Sequence, residues 1–321
     1  MGWDIVRRLY PDKPCKHNRL WIKEEIEDIL VNQLVTEATR SIKLEYSDLS
    51  PLIISKGLRN LKNLRFLRVY SHFNDFKNEA SQYYLPDSLQ SLYWKGYPFR
   101  CLPKTFQANK LIYLAMEHSN IRELWEGGER KCLNKLKFLN LGFSKLNNLD
   151  LGMTPHLENL NLQYCNILVD LHFPIECPNL KHLNLTGSKV RSLILRMTPH
   201  LKSLDLEGCN ELVELHFPVE FPNLTYLNLS GTKASSLDAG ITPHLEDLYL
   251  KGCIELVELQ FPVECPNLKC LNAGHTKVRS LNLRMTPHLK KLDLGQCYEL
   301  VELQFPTECP NLTYLDLSVQ R

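Results

Sequence analysis

The stretch TPHLENLNLQYCNILVDLHFPIECPNL at residues 154–180 decides the fold. It returns as TPHLKSLDLEGCNELVELHFPVEFPNL at 198–224, and TPHL recurs again at 242–245 and 286–289, a period of 44 residues. PNL closes each quoted stretch and recurs at 266–268 and 310–312, so each unit of 44 divides into pieces of 23 and 21. The pieces open with leucine at positions one, four and six, as in LENLNL from Leu157 and LKHLNL from Leu180, with Ala273 at position six of LKCLNA as the exception. Positions four and six alternate with three and five, which is the period of a strand. Two leucines therefore face one side of a short strand and the intervening residues face the other. One piece cannot bury its own leucines. Stacking neighbours at the strand spacing of about 4.8 Å gives a parallel sheet over a continuous leucine core.

The pattern continues upstream with looser spacing: LKFLNL from Leu136, LIYLAM from Leu111, LQSLYW from Leu89, LRFLRV from Leu64 and a degenerate TRSIKL from Thr39. About thirteen repeats over residues 39–321 result, and they resemble the leucine-rich repeat. The expected architecture is an α/β leucine-rich repeat solenoid with a curved parallel sheet on its concave face. Pieces of 21 to 25 residues leave little room for a full outer helix, and Pro218 at the end of LVELHFP (212–218) blocks one. Irregular, extended or short 3₁₀ outer segments are expected.

Composition narrows the function classes. The chain has 38 Lys+Arg and 36 Asp+Glu, a formal charge of +2, without the dominant basic field of a general nucleic-acid binder. No run of about 18 apolar residues predicts a membrane span. Asp4, Arg7 and Arg8 interrupt any apolar core at the start, so no secretory signal is expected there, and the eleven cysteines read as reduced thiols.

Cys165, Cys209, Cys253 and Cys297 are 44 residues apart, and Ser188, Thr232 and Thr276 fill the intervening copies. Cysteines two repeats apart stand about 9–10 Å from one another, beyond the roughly 7 Å limit of a disulfide. They read as small inward side chains bonded to neighbouring loop backbone. Cys177, Cys265 and Cys309, in ECPNL, read as buried hydrophobes. His156, His200, His244 and His288 keep the same period, so they cannot converge on one metal, whose ligands lie about 2 Å away. They read as framework residues ahead of the strand. The Asn-Leu-Ser/Thr sequons at 184, 223, 228 and 311 follow from repeats rich in Asn-Leu.

Positions two, three, five, seven and eight are expected on the concave side. There the four long copies differ most. Position three holds Asn159, Ser203, Asp247 and Lys291; position five holds Asn161, Asp205, Tyr249 and Asp293; position seven holds Gln163, Glu207, Lys251 and Gly295. Outer segments barely change. Variation on one face of a constant scaffold suggests recognition, against a relaxed solvated face as the alternative. Phe66, Tyr113, Phe138, Tyr226 and Tyr314 occupy position three, and Tyr93 and Tyr249 position five. Exposed aromatic side chains are typical interface anchors; cross-strand pairs that only stabilise the sheet are the alternative. Tyr113 and Phe138 sit on adjacent repeats and should touch. Tyr113, Phe138, Lys181, Tyr226, Asp247, Tyr249, Lys251, Lys291 and Tyr314 are the candidate partner-binding residues. Asn140, Asn161, Asn184, Asp205 and Asn228 at position five read as a polar ladder along the sheet.

Residues 1–38 do not fit the repeat. DIVRRL reads as a helix end, and Ile22, Ile26, Ile29 and Leu30 in IKEEIEDILVNQL have the spacing of an amphipathic helix. Met1-Gly2, Ile5-Val6-Arg7, Pro11, Pro14, Arg19-Leu20-Trp21 and Thr36-Glu37-Ala38 resemble the end of the nucleotide-binding module of plant TIR-NB-LRR disease-resistance receptors, at the close of its winged-helix subdomain. LYWKGYPFRCLP (92–103) and LIYLAMEHSNIRELWEG (111–127) are similar to the first repeats of that family. Trp3-Asp4 and Val35 depart from it. The resemblance implies a winged-helix remnant at 1–38 followed by repeats at 39–321. It also implies a non-enzymatic module that senses a pathogen effector or a guarded host protein.

In a full-length receptor the repeats would also contact the nucleotide-binding module. The sequence has no GxxxxGK[ST], so the ADP/ATP cradle of the family is missing, and no cofactor, catalytic residue or metal ligand is expected. Both ends read as cuts through a larger receptor, the last repeat lacking a polar cap. The expected setting is intracellular, in the cytoplasm, with the nucleus as a second compartment. The alternatives are an intracellular scaffold for one fixed host partner and a non-functional truncated product.

Overall fold

The computed structural model describes residues 10, 13–71, 83–128, 131–173, 176–218 and 220–318. The DIVRRL helix end lies outside them, as do Met1-Gly2, Ile5-Val6-Arg7 and Pro11. The chain divides into two compact units, Met1–Leu157 and Glu158–Arg321.

The first unit stacks six parallel strands: β1 (Arg19–Leu20), β2 (Ser41–Leu44), β3 (Phe66–Tyr70), β4 (Ser91–Lys95), β5 (Tyr113–Ala115) and β6 (Phe138–Asn140). Leu20, Ile42, Leu67, Leu92, Leu114 and Leu139 fall in one register, and each is at most 2% exposed. Burying each such side chain stabilises the fold by about 1.5–3 kcal/mol. Pairing begins at Arg19–Leu20, one element ahead of residue 39.

Two helices accompany the first strands. α1 (Lys23–Val31) buries Ile26, Ile29 and Leu30, as their spacing requires. α2 (Pro51–Leu58) corrects the expectation of irregular outer segments in this early repeat. Its start is locally encoded: the Ser50 side chain accepts from the Ile53 amide, and Pro51 opens the first turn, where no amide partner is needed. Gly57 lets the two helices meet, because a Cβ there would lie 2.6 Å from the Cα and carbonyl oxygen of Leu30.

The second unit repeats one rung eight times, with parallel three-residue strands from Asn159–Asn161 to Tyr314–Asp316. Leu160, Leu183, Leu204, Leu227, Leu248, Leu271 and Leu292 form its inner column, at most 2% exposed. The outer side is extended, as expected, and also paired. Ser192–Ile194 lies between Asp170–His172 and Glu214–His216; Ser236–Asp238 pairs Glu258–Gln260, and Ser280–Asn282 pairs Glu302–Gln304. Short 3₁₀ turns follow some of these strands, at Leu195–Met197 and Ala239–Ile241. The Thr of each TPHL is buried and caps this turn: Thr198, Thr242 and Thr286 donate to Leu195, Ala239 and Leu283 carbonyls at 2.8–3.0 Å.

The recurring cysteines behave as read. The thiols of Cys209, Cys253 and Cys297 donate to the carbonyls of Leu185, Leu229 and Ala273 at 3.1, 3.0 and 3.0 Å. Ser188, Thr232 and Thr276 hydroxyls lie 3.5–3.6 Å from the same sulfurs. The column is a buried file of alternating hydroxyls and thiols. Cys177 and Cys265 are buried, and burial pushes the Cys177 thiol up to about 11. Cys309 is only half-buried, a correction to its reading as a core residue. The histidines tie repeat to repeat at the surface: Nδ1 of His200, His244 and His288 lies 3.3–3.5 Å from the amide nitrogen of Asn223, Asn267 and Asn311.

Gly57→Ala decides between two effects of opposite sign. Alanine is the better helix former by about 1 kcal/mol, whereas forcing a methyl against backbone costs about 1–3 kcal/mol. Thermal unfolding should show a lower melting temperature; an unchanged or higher one would mean that the helices separate freely.

Candidate functional site

The same register that aligns the leucines aligns what faces the other way. In the first unit one row is Ser41, Phe66, Ser91, Tyr113 and Phe138, and the next is Lys43, Arg68, Tyr93, Ala115 and Asn140. Tyr113 and Phe138 are in contact, with ring centroids 6.2 Å apart. Beside them is an assembly that the repeat comparison did not single out. The Arg68 guanidinium lies 5.2 Å from the Tyr70 ring and 4.8 Å from the Tyr93 ring, and its Nε donates to the Tyr70 hydroxyl at 3.0 Å. Tyr46 stacks on Tyr70 at 6.2 Å, and Tyr70 meets Tyr93 at 5.2 Å. The Tyr93 hydroxyl donates to Glu117 Oε2 at 3.3 Å, and Asn140 Nδ2 donates to Glu117 Oε1 at 2.6 Å. Burial and then the Glu117 carboxylate raise the Tyr93 hydroxyl above its ordinary value, so it stays a neutral donor.

In the second unit Tyr226 and Tyr249 meet across neighbouring strands at 5.7 Å. The Tyr226 hydroxyl donates to Asp205 Oδ2 at 3.4 Å, and Asn228 Nδ2 donates to Glu207 Oε2 at 3.2 Å. Asp247, Cys270 and Lys291 fall side by side in register. Burial, then the nearby Glu246 carboxylate, raises the Asp247 carboxyl. Lys181 is engaged by Glu158 at 2.8 Å. Lys251, Lys291 and Tyr314 are exposed.

The position-five side chains Asn161, Asn184, Asp205 and Asn228 do fall side by side in register as a polar row, and each is also tied to its own repeat. Asn161, Asn184, Asp205, Asn228, Asn272, Asp293 and Asp316 each accept, through Oδ1, the backbone amide two residues on, at 2.8–3.2 Å. Asn140 does the same for Gly142 at 3.0 Å. Each closes the turn of its own repeat, and Asn140 and Asn228 also reach an acidic neighbour with their free amide. Tyr249 replaces this turn-forming residue in one copy and brings a ring to the face.

Arg68 and Tyr70 carried a usable signal. They occupy positions five and seven of LRFLRVY, the positions that vary in the long copies. Among the described residues no group of three or more His, Cys, Asp or Glu is placed to hold a metal ion, and no helix is long and apolar enough to cross a membrane.

No protein-family model matches the chain. It is 35% identical over 183 residues to disease resistance protein RPP2A of Arabidopsis thaliana, covering 55% of this chain and 14% of that protein. Disease resistance protein RPV1 of Vitis rotundifolia is 31% identical over 199 residues, covering 54% and 14%. TMV resistance protein N of Nicotiana glutinosa is 28% identical over 179 residues, covering 55% and 15%. The match thus spans about half of this chain and about one seventh of these relatives. Among solved structures, a leucine-rich repeat protein of Leptospira interrogans aligns over 91% of this chain and 78% of its own, with a TM-score of 0.54 and 21% identity. An internalin of Listeria monocytogenes aligns over 98% of each chain, with a TM-score of 0.51 and 16% identity. These two likenesses establish the leucine-rich repeat fold.

The Tyr113–Phe138 contact can be measured. A double-mutant cycle on Tyr113→Ala and Phe138→Ala should give a coupling of about 0.5–1.5 kcal/mol in unfolding free energy. Strictly additive losses would mean that the rings merely share a face.

Proposed function

We propose that this chain, which over about half its length is related to the plant TIR-NB-LRR disease-resistance proteins, is a non-enzymatic protein-recognition module of an intracellular immune receptor. Its partner is a pathogen effector or a guarded host protein, bound on the open face of the strands. In a full-length receptor the same repeats would contact the nucleotide-binding module. The reading assigns the chain no cofactor of its own.

One observation carries the proposal. The bonds that build the second unit recur copy after copy: threonine caps, thiols on carbonyls, His–Asn pairs. The strand-face residues of those copies differ in size, charge and aromaticity, as at Ser203, Asp247 and Lys291. Selection for folding alone acts on the constant set. Partner binding acts on the variable one. Leucine-rich repeats present such a face on a rigid support, and surface positions there change without cost to the core.

Purified chain, presented to a panel of effector and host proteins, should capture a partner whose binding changes on Lys251→Glu or Lys291→Glu. Both lysines are exposed, so unfolding free energy should stay within about 0.5 kcal/mol. A partner set indifferent to both substitutions, or a parallel loss of binding and stability, would remove the recognition reading.

A further inference from the structure

The geometry points to a basic, aromatic docking surface on the strand face of the first unit, fitted to an acidic peptide segment of a partner protein. This rests on the recognition role above and names the chemistry of the partner. Two clefts carry it. One, of about 440 Å³, is lined by Lys43, Arg68, Phe66, Tyr93 and Tyr113 among others. The second, of about 350 Å³, is lined by Arg65, Lys110, Lys135 and Ile112 among others. They adjoin, because Arg65 immediately precedes Phe66 at the start of β3 and Ile112 immediately precedes Tyr113 at the start of β5. Five cations line the two clefts, and no carboxylate lines either.

The surrounding acids neutralise one of these five cations, Lys43, and leave four. Glu45 pairs with Lys43 at 3.1 Å. Glu117 is engaged by Tyr93 and Asn140. Arg65, Arg68, Lys110 and Lys135 have no ion-pair partner among the described residues. Arg68 is held in place by Tyr70 and Tyr93, so less conformational freedom is lost when a carboxylate docks on it. A planar guanidinium matches a carboxylate with two parallel hydrogen bonds. Phe66, 47% exposed, and Ile112, 38% exposed, offer apolar contact between the cations. Acidic residues alternating with apolar ones complement that spacing on an extended segment, whose side chains alternate in the same way.

Aromatic side chains among cations also occur at single-stranded nucleic-acid sites, where bases stack on open rings. Here the tyrosine rings are engaged, and Phe66 alone in this cleft stands open. Tyr46, Tyr70 and Tyr93 adjoin in series, Arg68 lies over two of them, and Tyr113 leans on Phe138. A base would have to displace Arg68, so the peptide is the better fit.

The test uses the full chain and fluorescence anisotropy with a labelled peptide alternating Glu with Leu and Phe, its Gln counterpart, and labelled oligo-dT. The Glu peptide should bind, the Gln peptide about tenfold more weakly, and added salt should weaken the Glu peptide further. Arg65→Glu with Lys110→Glu should weaken it about tenfold; the Gln versions of both substitutions serve if the reversal unfolds the chain. Lys291→Glu, in the second unit, should leave peptide binding unchanged. Equal binding of Glu and Gln peptides would overturn the proposal, as would oligo-dT binding more tightly than the Glu peptide. If a protein partner binds through Lys251 or Lys291 while the Glu peptide does not bind, recognition stands and acidic docking falls. If neither binds, both fall.

Discussion

Everything in this chain depends on one registration: leucine four of each repeat sits opposite leucine four of the next. A three-residue strand has too few hydrogen bonds to persist alone, and its two leucines have nothing to bury against. Parallel pairing at fixed register supplies both partners at once. It also imposes a second consequence, since a slip of one residue would turn the leucines outward. The framework bonds guard against that slip. A threonine caps the outer turn, an Asn or Asp closes the strand, and a thiol reaches back to the carbonyl of the preceding rung. The first two are short-range devices by which a repeat fixes its own geometry, and the third ties it to its neighbour.

The open face of the strands is a by-product of the same registration. Because alternate residues must face away from the leucines, positions three and five fall on the open side at set intervals, although Ala115 and Asn228 are themselves covered by their neighbours. The first unit fills these positions with rings and cations, such as Phe66, Arg68, Tyr93 and Tyr113; the second mainly with acids and amides, among which stand Tyr226, Tyr249, Tyr314 and Lys291. The two faces share a backbone and differ in chemistry, which is the property expected of a support adapted to more than one kind of contact.

Much of this was legible in the residues. The leucine period fixed the strands, and the spacing of Cys209, Cys253 and Cys297 excluded disulfides and placed their thiols inward. Three features escaped. α2 carried its own signal, Ser50 followed by Pro51, but the shortness of the repeats argued against any outer helix; Gly57 resolves the conflict by letting that helix approach Leu30 closely. The polar row of Asn and Asp along the sheet was legible, but not that each short side chain also accepts its own backbone amide two residues away. The Arg68–Tyr70–Tyr93 assembly needs three side chains from two strands to fold over one another, and a comparison confined to the four long copies does not reach it.

The alternation of thiol and hydroxyl along the buried file has a bearing on how such a chain can change its length. Adding or removing 44 residues keeps the alternation of Ser144, Cys165, Ser188, Cys209, Thr232, Cys253, Thr276 and Cys297 in step. Losing a single half-unit would set two cysteines on successive rungs, about 4.8 Å apart and inside the span that a disulfide can bridge. A solenoid built this way keeps its thiols apart when it grows in pairs of rungs, and the pairing is written in its interior rather than on the open face of its strands.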